Sequence, residues 1–217
     1  MSVLNILSII YKLVLILSFL IAFLYGIKYR FYTQRYFMFY MFAILCIEFS
    51  TISKPFNKSL VYNFFPIISS FYFFYFFYQE LQSKKGQAFH ITIFIITLLS
   101  IIIFSISKGL EQFNISSAIA YSFLIILFAL QWFFNQINKP NEYAIQHKQG
   151  FWVSFGLLLW SSFLFFRIIP MYYFNTKDVL FLEWLQYIYN TINILTYILF
   201  SLGIVWNNYP SKSNTLT

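Results

Sequence analysis

The sequence predicts an all-α fold: a bundle of seven transmembrane helices with the N-terminus outside and the C-terminus cytoplasmic. Three observations carry that expectation. Of 217 residues, 60% are hydrophobic and only 9% charged, against roughly 25% charged in a soluble globular domain, and the mean hydropathy is +0.72. Apolar stretches of about 20 residues, long enough to cross a hydrocarbon core of roughly 30 Å, recur along the whole chain. The basic residues gather in alternate breaks between those stretches.

The elements follow from the breaks. A first span at about 3–25 ends at "KYRFYTQR"; it lacks a basic leader and Lys12 interrupts it, so it is not a cleaved signal peptide. Spans at about 36–52, 60–79 and 89–107 are divided by "SKPFNKS" and "QSKKGQ". A fifth, about 114–137, lies between "SKGLEQ" and "NKPNEYAIQHKQG". The sixth and seventh, about 151–172 and 179–206, flank "YFNTKD", and the tail "NNYPSKSNTLT" follows. One integral membrane domain then occupies residues 1–217, with no segment left for a separate soluble domain.

Direction comes from positive charge. Lys28, Arg30, Arg35, Lys84, Lys85, Lys139, Lys148 and Lys212 fall on one side, and Lys54, Lys58, Lys108 and Lys177 on the other. Eight against four places the first group in the cytoplasm. The net charge of +8 is thereby explained by loops rather than by a nucleic-acid-binding patch, so no nucleic-acid partner is expected. The lone Cys46 excludes an internal disulfide and a cysteine-based metal site. Aromatics make up 25% of the chain, so the run "FYFFYFFY" (71–78) reads as composition and packing rather than a cage. Tyr36 and Trp206 fall where interfacial belts belong.

The segment "EWLQYIYNTINILTY" (183–197) departs from this apolar background. Glu183, Gln186, Asn190, Asn193 and Tyr197 recur at steps of three and four, which stacks them on one helical face. Arg167 lies on the order of 8 Å below the outer surface at the end of the sixth span, at the depth of Glu183. Isolated charge in lipid is costly, so an Arg167–Glu183 ion pair is expected. Lys12 and Glu48 share the outer half of the first two spans and are within reach of each other. With Asn63, Asn114 and Tyr121, they make the outer half more polar than the inner, where Ser100, Gln131 and Thr196 stand alone.

Two readings compete for the cluster. Such residues serve as interhelical glue worth about 1 kcal/mol each, or they line a hydrated, outward-facing ligand cavity. The candidate ligand-binding set is Lys12, Glu48, Arg167, Glu183, Gln186, Asn190, Asn193 and Tyr197. His90 and His147 read as solvated interfacial residues. Asn57-Lys-Ser and Asn114-Ile-Ser match a glycosylation pattern that arises often by chance. Gly150, Ser154, Gly156, Ser161 and Ser162 suit close packing of the sixth span, and Pro66 and Pro170 stand where a kink widens a cavity. The Lys that a retinal Schiff base needs in the seventh span is missing. No HExxH, GxSxG or paired-carboxylate arrangement is present, so neither an enzyme, a cofactor nor a metal is expected.

The stretches "YFMFYMFAILCIEF", "VYNFFPIISSFYFFYFF", "FWVSFGLLLW" and "INILTYILFSLGIVW" resemble the spans of small seven-helix bacterial membrane proteins. They are similar also to the membrane domains of some sensor histidine kinases. That resemblance implies a sensory or partner-binding role, with any output passing through another protein because no kinase domain is present. The expectation is a receptor-like module of a bacterial cytoplasmic membrane, surrounded by membrane lipids. It would bind a small ligand or lipid in the outer polar cavity and signal to a cytoplasmic protein through loops 26–36 and 138–150. A small-molecule transporter and a structural assembly subunit are the alternatives.

Overall fold

Lipid offers no partner for backbone N–H and C=O groups, so each apolar segment satisfies them internally as a helix, whatever its aromatic or β-branched content. A computed structural model describes residues 3–30, 34–50, 58–81, 83–109, 112–138, 145–172 and 178–207. Among those residues there are seven α-helices and no strand. They are α1 (Val3–Tyr29), α2 (Phe37–Ser50), α3 (Lys58–Tyr78), α4 (Lys84–Lys108), α5 (Ile115–Asn138), α6 (Gln149–Tyr172) and α7 (Val179–Asn207), with a short 3₁₀ turn at Ile145–His147. Six are long and apolar enough to cross a membrane. The 14 residues of α2 extend roughly 21 Å at 1.5 Å per residue.

The expected spans match these helices, with local differences at the ends. α4 begins at Lys84, more than a turn before the expected start, because the Ser83 side chain accepts the Gly86 N–H and caps the polar first turn. α1 continues to Tyr29, carrying Lys28 out on its last turn. Asn114 caps α5 by accepting the Ser117 N–H at 3.1 Å, and Asp178 caps α7 through Phe181 N–H at 3.2 Å.

α1, α2, α3, α5, α6 and α7 form a ring in which α7 closes back on α1, while α4 packs outside on α3 and α5. The bundle is inside-out relative to a soluble protein. Leu13, Leu17 and Leu24 of α1 and Ile96, Leu99 and Ile103 of α4 are exposed, whereas Ser18, Asn63, Ser69, Asn190 and Asn193 are buried. An apolar exterior of this extent requires a lipid solvent. The protein is a multi-pass helical membrane protein.

Small residues let α6 approach its neighbours. A Cβ at Gly156 would stand 3.2 Å from the Phe200 ring, and one at Gly203 would stand 3.1 Å from the Trp152 Cβ. Hydroxyls bind α1 to α7: Ser18 donates to the Tyr197 carbonyl at 3.1 Å, and Ser201 donates to Ser18 at 2.9 Å. The run 71–78 packs as composition suggests, with Phe73, Phe76 and Phe77 in the core and Phe71 and Tyr75 outside.

Candidate functional site

Two polar regions occupy opposite ends of the bundle. The first lies where α1, α3, α5 and α7 begin. A cleft of about 550 Å³ there is lined by Lys12, Glu48, Arg167, Gln186, Asn190 and Asn193. It reaches the bundle surface beside Asn5, which is exposed. Four helices, α1, α2, α6 and α7, therefore bring six of the eight candidate residues to one space.

A hydrogen-bonded row runs down its wall. Arg167 donates to the Gln186 carbonyl oxygen at 2.8 Å. The Gln186 amide donates to the Asn190 oxygen at 3.0 Å, and the Trp160 indole donates to the Asn193 oxygen at 2.9 Å. The three-and-four spacing on α7 is what aligns these amides, as the helical period requires.

The expected Arg167–Glu183 ion pair is absent. Arg167 instead bonds to Gln186 and lies 4.1 Å from the centre of the Tyr189 ring. Glu183 is exposed and does not line the cleft. The reason is end geometry: Val179, Leu180, Phe181, Glu183 and Trp184 are all exposed, so the start of α7 projects past its neighbours and no facing side chain is within reach. Lys12 and Glu48 share the cleft, and the Lys12 charge acts on the Glu48 carboxylate.

Below the cleft lies a second chamber of about 110 Å³. Tyr11, Glu48, Tyr62, Tyr189 and Asn193 line both spaces and form the seam between them. Tyr197, the last residue of the row, belongs to this inner chamber, with its ring 5.9 Å from that of Tyr11. Tyr40, Tyr121 and Trp160 complete its aromatic wall, and Pro66 of α3 also borders it.

Other expected members of the cluster hold helices together. Asn63 accepts the Asn114 N–H at 2.9 Å and donates to the Gln112 carbonyl at 2.8 Å. Asn114 donates to the Phe104 carbonyl as well. Asn114 is buried, which closes it to glycosylation; Asn57 lies outside the described residues.

The second polar region, at the opposite end, was not legible beforehand. Glu80, just beyond α3, forms with Arg35 the sole ion pair among the described residues. Its other oxygen accepts the Trp132 indole N–H at 2.6 Å and the Gln136 amide at 3.3 Å, and Lys148 donates to Gln136. Asn135 reaches the Glu80 carbonyl at 3.1 Å. His90 is buried rather than solvated: its ring bonds Gln131 at 2.7 Å and the Phe74 carbonyl at 3.2 Å, and stacks 3.9 Å from Phe128. His147 accepts the Trp206 indole N–H at 2.7 Å, and that bond is exposed. The sequence signal was the presence of only six acidic residues in the chain; in so basic a protein each carboxylate needs a partner.

Among the described residues, no group of His, Cys, Asp and Glu is arranged to hold a metal ion. Fold and cleft together define the class: a multi-pass helical membrane protein with a polar cleft at one end and a carboxylate-centred clamp at the other. No protein-family model matches the chain, and no curated protein or solved structure matches it either.

Proposed function

We propose that the chain is a seven-helix, receptor-like sensory module of a bacterial cytoplasmic membrane. Its N-terminus and cleft face outside and its C-terminus faces the cytoplasm. It binds a small ligand or lipid headgroup in the cleft and passes the event to a cytoplasmic partner, without catalysing a reaction. The observation that carries this reading is the convergence of Lys12, Glu48, Arg167, Gln186, Asn190 and Asn193 on one cleft. Glue alone calls for facing pairs of polar groups; a cleft of about 550 Å³ is of the size that takes a small molecule, roughly 300–1,000 Å³.

Orientation rests on the eight-to-four charge bias. The sensory rather than transport reading is favoured by what fills the rest of the ring. Phe37, Phe73, Phe76, Phe77, Phe128 and Phe200 are fully buried between the chambers and the Glu80 end, so the core offers no polar path for a solute. α6 and α7 run from the cleft to that end, where Gly203 packs on Gln149 and Trp206 bonds His147. Shifts of these two helices give a signal to the basic loops 26–36 and 138–150.

A thermal-shift screen of the purified protein against metabolites and lipids tests the proposal. At least one compound should raise Tm in the wild type and fail to do so in Arg167→Ala and Asn190→Ala. The same compound should change the distance between spin labels at positions 84 and 148. Stabilising compounds that ignore both substitutions would overturn the assignment of the site.

A further inference from the structure

We infer that the ligand of this cleft is a zwitterion, with a methylated ammonium group in the inner chamber against Glu48 and an anionic group at Lys12 and Arg167. The inference rests on the cleft being a ligand site, and it adds the ligand's chemical class. The sign of the charges along the path carries it. Glu48 is the only charged residue lining the inner chamber, at the seam where that chamber meets the cleft. The cleft above adds two cations, Lys12 and Arg167. A ligand entering from the surface meets positive charge first and negative charge deeper.

The inner chamber is also built for a soft cation. Tyr11, Tyr40, Tyr121, Trp160, Tyr189 and Tyr197 present aromatic rings to it. Ring faces attract ammonium groups, and aromatic cages are the recurring solution for methylated ones, which shed water readily. The chamber's volume is about 110 Å³. An apolar cavity of roughly 150 Å³ takes benzene, so a trimethylammonium group is of the right scale.

Positions in the row are fixed by neighbours. Trp160 is held by its bond to Asn193, and Tyr189 by the Arg167 guanidinium over its ring. Arg167 has five N–H donors, and Gln186 accepts from one nitrogen, so the guanidinium retains donors for a carboxylate or phosphate. A simple cation would be repelled at the mouth, and a simple anion would meet Glu48. Only a molecule carrying both charges satisfies the whole path.

Two sources supply this chemistry: a free solute such as glycine betaine, or the headgroup of phosphatidylcholine. The full chain in phosphatidylglycerol nanodiscs, which contain no ammonium group, is titrated calorimetrically with glycine betaine, phosphocholine, choline and tert-butylacetate. The last has the shape of betaine without its positive charge. One or both zwitterions should bind at least tenfold more tightly than tert-butylacetate. Glu48→Gln should bring that ratio close to one, and Arg167→Ala should weaken the zwitterions but not choline.

If the source is lipid, adding phosphatidylcholine to the discs should lower the apparent affinity of the soluble zwitterions. If the source is a free solute, that affinity should be unchanged. Equal affinity of wild-type protein for betaine, phosphocholine and tert-butylacetate overturns the inference, and that comparison needs no variant to fold. If no zwitterion binds while another compound binds and depends on Arg167 and Asn190, the zwitterion fails and the site stands. If nothing binds and cysteines in the cleft wall are also inaccessible, the site itself is refuted.

Discussion

The Arg167 guanidinium rests 4.1 Å from the centre of the Tyr189 ring and donates a hydrogen bond to Gln186. It makes no ion pair with Glu183, although the two lie at similar depth on adjacent helices. A guanidinium stacked on a ring and bonded to an amide remains solvable by the cleft, whereas a paired one would be neutralised. The charge is therefore available at the site.

That arrangement sets the first prediction. A double-mutant cycle between Arg167→Ala and Gln186→Ala should show a coupling of about 1 kcal/mol, in the range of a single hydrogen bond. The cycle between Arg167→Ala and Glu183→Ala should show additivity, because no contact joins them. Unfolding in detergent gives both values. Strong coupling to Glu183 would mean that α7 sits in a different register from the one described.

A second prediction concerns water. Cys46 is exposed, so labelling starts from a Cys46→Ser background. Cysteines at 186, 190 and 193 should react with a membrane-impermeant thiol reagent added from outside, with 186 fastest because it lies nearest the mouth. A cysteine at 183 should react whatever the state of the cleft, since that part of α7 is exposed. Labelling at 183 with none at the other three would describe a dry, packed row, and the ligand reading would lose its cavity.

Much of this arrangement was legible in the sequence, and the reasons are specific. Helix positions follow from hydropathy because the membrane demands apolar length, and the seven stretches stand out against their breaks. Gln186, Asn190 and Asn193 were legible because helical spacing puts them on one face. What escaped depends on distant contacts. Glu80 and Trp132 are separated by 52 positions, and His90 and Gln131 by 41, and no local pattern marks either pair. Tyr40, Tyr62, Tyr121 and Tyr189 line the inner chamber, but in a chain with 18 tyrosines their identity is no signal. Glu183 had the right spacing and depth; only the projection of α7 beyond its neighbours removed it from the site.

The third prediction is topological. A reporter active only in the cytoplasm, fused after Thr217, should be active, and one active only in the periplasm should be silent. The positive charges of "KYRFYTQR" should hold that orientation. Replacing Lys28, Arg30 and Arg35 by Gln should produce a mixed population of orientations, visible as activity from both reporters. The opposite pattern in the unaltered chain would place the cleft on the cytoplasmic side.

The final prediction concerns the Glu80 clamp and what holds the bundle at the end opposite the cleft. Glu80 joins the turn preceding α2, through Arg35, to α5 through Trp132 and Gln136. Arg35 also lies 4.6 Å from the centre of the Phe76 ring and donates to the Phe76 carbonyl at 3.2 Å. Hydrogen bonds to a charged group contribute roughly 1.5–3 kcal/mol, so Trp132→Phe should destabilise by about that amount while preserving most of the packing. Arg35→Ala should cost more in the wild type than in a Glu80→Gln background, because in the wild type it leaves a carboxylate without its cation. Gly150 tests the same clamp from the side of α6. A Cβ there would stand 2.5 Å from the Trp132 indole nitrogen, so Gly150→Ala must push the indole away from Glu80. The expected loss is about 1–3 kcal/mol, the usual range for overpacking. It should shrink in the Trp132→Phe background, where the smaller ring leaves room. Thermal unfolding of the four proteins measures the coupling, and full additivity between positions 132 and 150 would show that the indole does not sit where its bond to Glu80 requires.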